Sequence, residues 1–271
     1  MYGGTSMNDE PTREEDESSH EGPRLQLRNL HAADYRELKR IMDSVYASMG
    51  GAWSRKQFVA QLTRFPEGQI CIEDNGRVVA AALSLVVDYR RFGDAHTYDD
   101  ITGHGFLTTH DPTGDILYGM DVFVDPEYQG MRLGRRLYDA RKELCQNLNL
   151  RAIVLGGRIP GYDKVKDDMS PQRYIELVQR RELFDPILSF QLANEFHVRR
   201  VLVNYWPPDR QSGGYATLLR WDNIYHEAQE APLIRSTERI VRVGTVQWQM
   251  RRLESRETFL QQVEFFVDAL A

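Results

Sequence analysis

Residues 117–148 limit most strongly what this chain can fold into. The stretch opens with β-favouring residues, among them Leu117, Val122 and Val124, and Asp125-Pro126 ends that run. A polar turn that contains a glycine follows. Apolar residues then recur at spacings of four, three, four and four, at Leu133, Leu137, Ala140, Leu144 and Leu148. The pattern predicts a strand, a tight turn, and an amphipathic helix that begins near Arg132.

The start of this helix has the character of an anion-binding site. The first backbone N–H groups of a helix have no partner within the helix, and the helix dipole adds positive potential there. Arg132, Arg135 and Arg136 lie in the first turn, where the dipole alone favours acidic side chains. Such a site suits a phosphate or a pyrophosphate. The sequence contains neither G-x-x-x-x-G-K-[ST] nor G-x-G-x-x-G after a strand, so the other main phosphate loops fit poorly.

The run from Val124 to Gly134 resembles the acetyl-coenzyme A signature of the GNAT acetyltransferase superfamily. That signature is an apolar strand, a proline, and then Gln or Arg followed by x-x-Gly-x-Gly or Ala. Gln129 and Gly134 match it, whereas Arg132 stands in place of the middle glycine. The resemblance implies an α/β GNAT fold, with a mixed central sheet flanked by helices. It also implies that acetyl-CoA, as co-substrate, contacts Val122, Phe123, Val124, Gln129, Gly130, Met131, Arg132, Leu133, Gly134 and Arg135.

The elements predicted before this unit follow the GNAT order. Asp74-Asn75-Gly76 is a strong hairpin signal between two strands. The predicted elements are a strand at residues 25–27, a helix from Ala32 or Ala33 to Met49, a second helix between the N-cap Ser54 and Pro66, and strands at residues 69–73 and 77–87. The resemblance therefore spans roughly residues 25–221.

Residues 88–115 form a long polar insertion between the third and fourth strands. It contains two tyrosines and three histidines, namely Tyr89, Tyr98, His96, His104 and His110. A connection of this length is typical of a binding loop. The histidine spacings of eight and six match no local zinc pattern, so we predict solvent-facing or substrate-side histidines and no metal site.

After the central helix, residues 152–155 predict a fifth strand that ends in Gly156-Gly157. In the resembled superfamily the fourth and fifth strands splay apart and the pantetheine arm lies in the gap, where a glycine pair relieves crowding. The remaining predicted elements are a helix after Ser170-Pro171, a helix at residues 186–196, and strands at residues 198–203 and 214–221.

The helix predicted before the sixth strand stands where the family usually has Leu-Tyr-x-x-x-Gly-Phe. Phe196 matches the phenylalanine, but Gln191 occupies the tyrosine position and Glu195 the glycine position. That tyrosine is the family's usual general acid. Because Gln191 stands in its place, the resemblance does not assign the general acid of this chain. Tyr162 and Tyr205 are candidates to replace it.

An amine acceptor needs a base, because an alkylammonium has a pKa near ~10.4 and no lone pair. Asp121, in the apolar part of the fourth strand, is the leading candidate. A structural carboxylate that is hydrogen-bonded to a neighbouring loop is an equally supported reading. His104 and His110 are alternative bases with suitable ordinary pKa values. Backbone N–H groups of residues 122–124 would polarise the thioester carbonyl.

Residues 238–271 resemble a second family. The run RVGTVQ at residues 242–247, with the amphipathic stretch 258–270, is similar to the opening of the carbon–nitrogen hydrolase (nitrilase) family. GNAT–nitrilase fusions form a known group, and GGRIPGY and DPILSFQLANEF resemble its acetyltransferase half. We predict a disordered acidic tail (1–22), a GNAT domain (23–222), a linker (223–237) and an incomplete nitrilase-like segment (238–271).

We do not expect this segment to make the chain a hydrolase. Nitrilase chemistry requires a nucleophilic cysteine, and the two cysteines, Cys71 and Cys145, lie in acetyltransferase elements. We interpret the chain as a fragment whose apolar tail packs on the domain or forms a homodimer. Deleting residues 238–271 is expected to leave acetyl-CoA affinity unchanged by calorimetry and to alter solubility or oligomeric state. Loss of binding, or hydrolysis of an amide or nitrile by the chain, would contradict this.

Net charge and hydropathy indicate which classes of binding partner the protein lacks. A net charge of −6 argues against general nucleic-acid binding. The sequence has no apolar run of membrane-spanning length and no apolar signal core at its start, which favours a cytoplasmic protein that binds no membrane. The two cysteines read as small buried hydrophobes in a reducing compartment.

The sequence thus predicts an N-acetyltransferase that uses acetyl-CoA and an unidentified amine in a ternary complex. An alternative is a non-catalytic acyl-CoA-binding module that regulates an attached carbon–nitrogen hydrolase. A plain α/β interaction domain is a further alternative. Coenzyme A binding without turnover on any amine would favour the module, and absence of acetyl-CoA binding would favour the interaction domain.

Overall fold

The computed structural model describes residues 24–47, 51–227, 255–257, 259–261 and 263. The chain divides into two units, Met1–Glu227 and Ala228–Ala271. In the second unit the described residues 256–257, 259–261 and 263 are helical. The predictions that fall on residues 1–22, 48–50, 228–254, 258, 262 and 264–271 lie outside the described residues.

The first unit is an α/β fold built on a seven-stranded sheet. Its strands are β1 (Leu25–Asn29), β2 (Gln69–Asp74), β3 (Arg77–Val87), β4 (Ile116–Val124), β5 (Ala152–Gly157), β6 (His197–Leu202) and β7 (Ala216–Asp222). Its helices are α1 (Tyr35–Val45), α2 (Arg55–Arg64), α3 (Tyr98–Thr102), α4 (Leu133–Asn147), α5 (Pro171–Gln179) and α6 (Leu188–Ala193).

The sheet is mixed, as predicted. Its strand order is β1-β2-β3-β4-β5-β7-β6. The strands β1 to β4 form an antiparallel meander, β4 and β5 are parallel, and β7 pairs antiparallel with both β5 and β6. The strand β7, the last one in the described residues, therefore inserts between β5 and β6. The parallel pair sits at the centre of the sheet, with α4 as the connection between its strands.

Helices cover both faces of the sheet. Leu38 and Ile41 of α1 belong to one buried cluster, and Leu133 and Leu137 of α4 belong to another. Burial of apolar surface on both faces stabilises the central strands, and ten of the eleven residues of β3 are buried. Both cysteines are buried and free, in agreement with the prediction, and burial raises the pKa of each thiol to about 12.

Several predicted boundaries are confirmed by their caps. The Ser54 Oγ accepts a hydrogen bond from the Gln57 N–H at 3.3 Å, and the Ser170 Oγ accepts one from the Arg173 N–H at 3.3 Å. Each bond satisfies an N–H group of a first turn. The hairpin between β2 and β3 turns at Asn75-Gly76, where both residues have positive φ angles.

Two helices are shorter than predicted. Helix α1 ends at Val45 rather than Met49, because Tyr46 leaves the helical region and its carbonyl accepts the Gly51 N–H at 3.1 Å. Helix α6 begins at Leu188 rather than Pro186. The Asp185 carboxylate accepts the N–H groups of Ile187 and Leu188 at 2.9 and 2.8 Å, which fixes the start of the helix.

The insertion at residues 88–115 contains the short helix α3, which the sequence did not predict. Thr97 caps it by accepting the Asp100 N–H at 3.1 Å. In the described part of the chain, no helix is long and apolar enough to cross a membrane. Among the same residues, no three His, Cys, Asp or Glu side chains are grouped to hold a metal ion.

Candidate functional site

A gap opens in the middle of the sheet, as expected. The described ladder between β4 and β5 is four residue pairs long and ends at Gly119 and Leu155. On its other side β4 carries a bulge, since Leu83 pairs with Asp121 while Ser84 pairs with Gly119. A bulge bends its strand and redirects the adjacent side chains. Together the bulge and the short ladder separate the ends of the two strands.

A cavity of 190 Å³ occupies this gap. Its lining comes from the bulge, from the glycine end of β5, and from α1, α4 and α6. The lining residues are Val45, Tyr46, Gly119, Met120, Asp121, Val122, Tyr138, Arg141, Leu155, Gly156, Arg158, Pro186, Ile187, Phe190 and Gln191. We call it the donor cavity. Gly156 allows the Tyr205 ring to approach β5 closely, because a Cβ there would lie 2.3 Å from the Cζ of Tyr205.

Arg141 of α4 holds the bulge in place. Its side chain is buried, with an exposed fraction of 1%. Its Nη2 donates to the Leu83 and Asp121 carbonyls at 2.9 and 2.8 Å, and its Nε donates to the Ser84 Oγ at 3.0 Å. A charged donor that bonds both strands of the bulge fixes the backbone on which Asp121 stands.

The Asp121 carboxylate faces the cavity and is held by two tyrosines. The Tyr46 hydroxyl donates to its Oδ1 and the Tyr98 hydroxyl to its Oδ2, both at 2.8 Å. Burial raises the pKa of Asp121 above its ordinary value of 3.8, and the two tyrosine hydrogen bonds oppose that shift. The carboxyl is therefore oriented and more basic than an exposed aspartate. The hydrogen bonds match the predicted structural carboxylate, and the role of Asp121 as a base stays a prediction.

A second cavity of 60 Å³ adjoins the first and shares Tyr46, Met120, Asp121, Gly156 and Arg158 with it. We call it the acceptor cavity. Its other lining residues are Met42, Gly51, Trp53, Tyr98, Tyr205 and Trp206.

Arg158 is the positively charged side chain in the lining of the acceptor cavity. Its guanidinium makes two bonds to the Asp209 carboxylate, at 2.6 and 2.8 Å. The ion pair offsets its charge. The negatively charged side chain in the lining of the acceptor cavity is Asp121.

The start of α4 is open to an anion. Its N-cap, Arg132, has a φ of 59° and no side-chain capping bond. The first bond of the helix runs from the Arg136 N–H to the Arg132 carbonyl at 3.2 Å. The preceding N–H groups of the first turn therefore have no helical partner. Gln129, Gly130 and Met131 are exposed in the turn before it.

Arg132 replaces the middle glycine of the signature, yet its backbone adopts a conformation that favours glycine. A φ of 59° lies in the left-handed region, which favours glycine because a Cβ is crowded there. Glu195, at the family's second glycine position, has a φ of 67°. The backbone thus keeps the conformation of the glycine pattern at both positions without the glycines.

Gly134 and Gln191 link the start of α4 to the donor cavity. A Cβ on Gly134 would lie 3.1 Å from the Cζ of Phe190, so the glycine permits close packing of α6 on α4. The Nε2 of Gln191 donates to the Tyr138 hydroxyl at 3.4 Å, while its Oε1 is buried with no hydrogen-bond partner in the described structure. An unpaired buried acceptor that borders a cavity suits a ligand N–H group.

Three residues predicted as catalytic line neither cavity. His104 is exposed, 3.6 Å from the Asp99 carboxylate. His110 stacks on Phe65 and its Nδ1 accepts the Val86 N–H at 3.2 Å. Tyr162 is buried and its hydroxyl donates to the Met169 carbonyl at 3.1 Å. The sequence suggests them by residue type, whereas their positions depend on how the insertions fold, and a catalytic role for them stays a prediction.

Conversely, sequence reasoning missed Tyr46, Tyr98, Arg141 and Arg158 as site residues. Tyr98 lies in the insertion that was expected to bind a ligand, and this was the available signal. Tyr46 and Arg141 looked like ordinary members of helices. Their roles follow from contacts across 75 and 20 positions of sequence.

Comparisons with known proteins agree with this geometry. A family model described as the Acetyltransferase (GNAT) family matches residues 26–162. Probable hydrolase YhcX of Bacillus subtilis (strain 168) is 38% identical over 245 residues, which are 90% of this chain and 48% of that protein. Uncharacterized N-acetyltransferase YkwB of the same organism is 31% identical over 206 residues, which are 75% of this chain and 91% of that protein.

The fold is also similar to a solved structure, the loading GNATL domain of CurA from Lyngbya majuscula. The TM-score is 0.63 at 21% identity, and the match covers 73% of this chain and 97% of that one. At this identity the likeness concerns the fold. The chain spans about half the length of the first curated relative, the hydrolase YhcX.

Proposed function

Because the chain belongs to the GNAT acetyltransferase family and is an acyltransferase, we propose that it transfers an acetyl group from acetyl-CoA to an amine, with both substrates bound together. The observation that carries this proposal is the pair of adjoining cavities that share Asp121. One lies in the gap between β4 and β5, and the other lies among aromatic side chains. A donor and an acceptor can therefore meet beside one carboxylate.

The donor cavity and the start of α4, which packs against Phe190 of the cavity lining, together fit an acyl-CoA. Residues 129–135 offer a diphosphate the free N–H groups of the α4 start and the charges of Arg132 and Arg135. The edge of β4 that faces the gap, residues 122–124, offers backbone groups to the pantetheine amides. The unpaired Oε1 of Gln191 suits one of their N–H groups. Acetyl-CoA would supply the thioester whose acyl carbon the amine attacks.

The acceptor cavity fits a small cationic amine. Trp53, Trp206 and Tyr205 present aromatic surfaces, and aromatic faces attract cations. The Asp121 carboxylate adds a negative charge, while Asp209 offsets the charge of Arg158. A bound ammonium would lie near a base that is able to take its proton, directly or through a water.

The direct test combines the protein, acetyl-CoA and a panel of small primary amines. We expect release of the free coenzyme A thiol and a mass spectrum that shows one acetylated amine. Binding of acetyl-CoA without release on any amine would support the alternative, a regulatory acyl-CoA-binding module. The similarity to the hydrolase YhcX motivates our proposal that residues 238–271 begin a nitrilase-like domain after a linker at residues 223–237.

Replacing Arg132 by glycine separates folding from binding. Left-handed backbone costs a non-glycine residue about 1–2 kcal/mol, so Arg132→Gly should raise the free energy of unfolding by about 1 kcal/mol. It should also weaken acetyl-CoA binding about two- to fivefold, because an exposed ion pair to a phosphate contributes about 0.4–1 kcal/mol. Chemical denaturation and calorimetry measure the two effects.

Arg181→Gly is the matched control for this change. Arg181 also has a positive φ, 62°, but it lies outside residues 129–135, where we propose that the diphosphate binds. It should gain stability without any loss of acetyl-CoA affinity. Equal affinity losses in the two variants would remove Arg132 from the donor site.

A further inference from the structure

Three buried side chains form a hydrogen-bond chain that ends at the acceptor cavity. The Tyr205 and Tyr118 hydroxyls lie 2.8 Å apart, and the Tyr118 hydroxyl lies 2.9 Å from the His96 Nε2. The His96 Nδ1 lies 2.8 Å from the Gly93 carbonyl oxygen. All three side chains are at least 95% buried. Tyr205 lines the acceptor cavity, and its hydroxyl oxygen would lie 2.6 Å from a Cβ on Gly156.

The Gly93 carbonyl determines which group donates and which accepts in each of these hydrogen bonds. A carbonyl only accepts, so the His96 Nδ1 carries the hydrogen. Burial lowers the pKa of His96, which favours the neutral ring, and its Nε2 is then an acceptor for the Tyr118 hydroxyl. The Tyr118 hydroxyl has one hydrogen and donates it to the His96 Nε2, so in the bond between the two tyrosines Tyr205 must be the donor. The Tyr205 oxygen consequently presents only lone pairs to the acceptor cavity.

An ammonium acceptor must lose two protons from nitrogen before it becomes an amide. Asp121 can take the first, which frees the lone pair for attack. When nitrogen bonds to the acyl carbon and the carbon–sulfur bond breaks, sulfur leaves with the electron pair. The nitrogen then still carries one proton too many. Asp121, already protonated, cannot accept it.

We propose that Tyr205, through Tyr118, passes this second proton to His96. This inference rests on the proposed function. The nitrogen gives a proton to the Tyr205 oxygen, Tyr205 gives its own to Tyr118, and Tyr118 gives its own to the His96 Nε2. His96 becomes an imidazolium whose Nδ1–H still bonds to Gly93, and both tyrosines remain neutral. The proton held by Asp121 is left for the departing sulfur, which supplies a general acid where Gln191 replaces the family's tyrosine.

The surroundings of His96 suit a temporary positive charge. Asp94 and Asp100 favour the imidazolium electrostatically, although burial opposes it. The Tyr89 and Tyr205 rings stand nearly perpendicular to the imidazole, at centroid distances of 6.0 and 6.1 Å, and pack it in place. His96 can therefore hold the proton briefly and then lose it, which a relay requires.

Tyr118→Phe tests the relay, because Tyr118 lies between the cavity residue and the histidine. We expect kcat to fall about 10- to 100-fold with acetyl-CoA affinity unchanged. In mixtures of light and heavy water, a plot of the wild-type rate against the deuterium fraction of the solvent should be curved, because more than one proton is transferred. The variant should give a straight line.

Tyr174→Phe is the matched control. It also removes one buried tyrosine hydroxyl, which donates to Asp185 at 2.9 Å, and it lines neither cavity. It should lose stability and keep the curved dependence. If Tyr118→Phe also keeps the curve and the rate, the relay is wrong while the proposed acetyltransferase stands. If the wild type acetylates no amine, both proposals are overturned.

A readout without turnover comes from nitrogen NMR of the free protein. The His96 ring should be neutral with its hydrogen on Nδ1. In Tyr118→Phe the Nε2 resonance should shift by the loss of its donor, while the hydrogen stays on Nδ1. A free-protein His96 with its hydrogen on Nε2 would contradict the proposed direction of transfer.

Discussion

Replacing Asp121 by asparagine should lower kcat by ~10²–10⁴, the range that a general base contributes. The amide keeps the size of the side chain and can still bond to the hydroxyls of Tyr46 and Tyr98, but it cannot accept an amine proton. Acetyl-CoA affinity should be unchanged, because the groups proposed to hold the diphosphate are at residues 129–135. Steady-state kinetics and calorimetry give both quantities.

The dependence of the wild-type rate on pH provides a second signature of Asp121. Since burial raises the pKa of this carboxyl, kcat should fall on acidification at a pH above its ordinary value of 3.8. Protonated Asp121 has no free proton-accepting capacity, so the fall belongs to the acid side. The step should be missing from Asp121→Asn. Asp139→Asn, an exposed carboxylate of α4, should retain both rate and profile; near-normal turnover of Asp121→Asn would move the base elsewhere.

Gly134→Glu should weaken acetyl-CoA binding at least tenfold, or about 1.4 kcal/mol. The new side chain would place a negative charge at the helix start, where we propose that the diphosphate binds. Its Cβ would also press on Phe190 of the donor cavity, 3.1 Å away. A glutamate in a first helical turn interacts favourably with the dipole, so the helix itself should not be weakened.

Gly134→Ala separates the two causes of that loss. It adds the same Cβ contact without the charge, and a shift of Phe190 by a few tenths of an ångström would accommodate it. We expect a small loss of affinity for alanine and a large one for glutamate, measured by calorimetry. Unchanged affinity in a folded Gly134→Glu variant would contradict the proposed diphosphate site.

Much of the fold was predictable because it is encoded locally. The turn at Asn75-Gly76, the caps Ser54 and Ser170, and the strand–turn–helix unit around Gly130 each depend on neighbouring residues. The sequence also predicted the helix start within one residue, at Arg132 rather than Leu133. The insertion of β7 between β5 and β6 depends instead on pairing between strands that are distant in sequence, so it could not be read from periodicity.

The site was less predictable for the same physical reason. Asp121 could be proposed because a carboxylate in an apolar strand needs an explanation. Its partners Tyr46 and Tyr98 come from two different elements, and nothing in their local sequence points at a carboxylate. The histidines show the limit best. His104 and His110 remain predictions made from residue type, and they line neither cavity, whereas the buried hydrogen bonds that begin at Tyr205 of the acceptor cavity lead to His96.

The measurement that tests the account most directly is a crystal structure of the protein with coenzyme A bound. We predict the diphosphate at residues 129–135, the pantetheine arm between β4 and β5 with one amide N–H on the Gln191 Oε1, and the thiol beside Asp121. An amine or its acetylated product soaked into the same crystal should occupy the acceptor cavity. Coenzyme A bound elsewhere, or a thiol that points away from Asp121, would contradict the central claim.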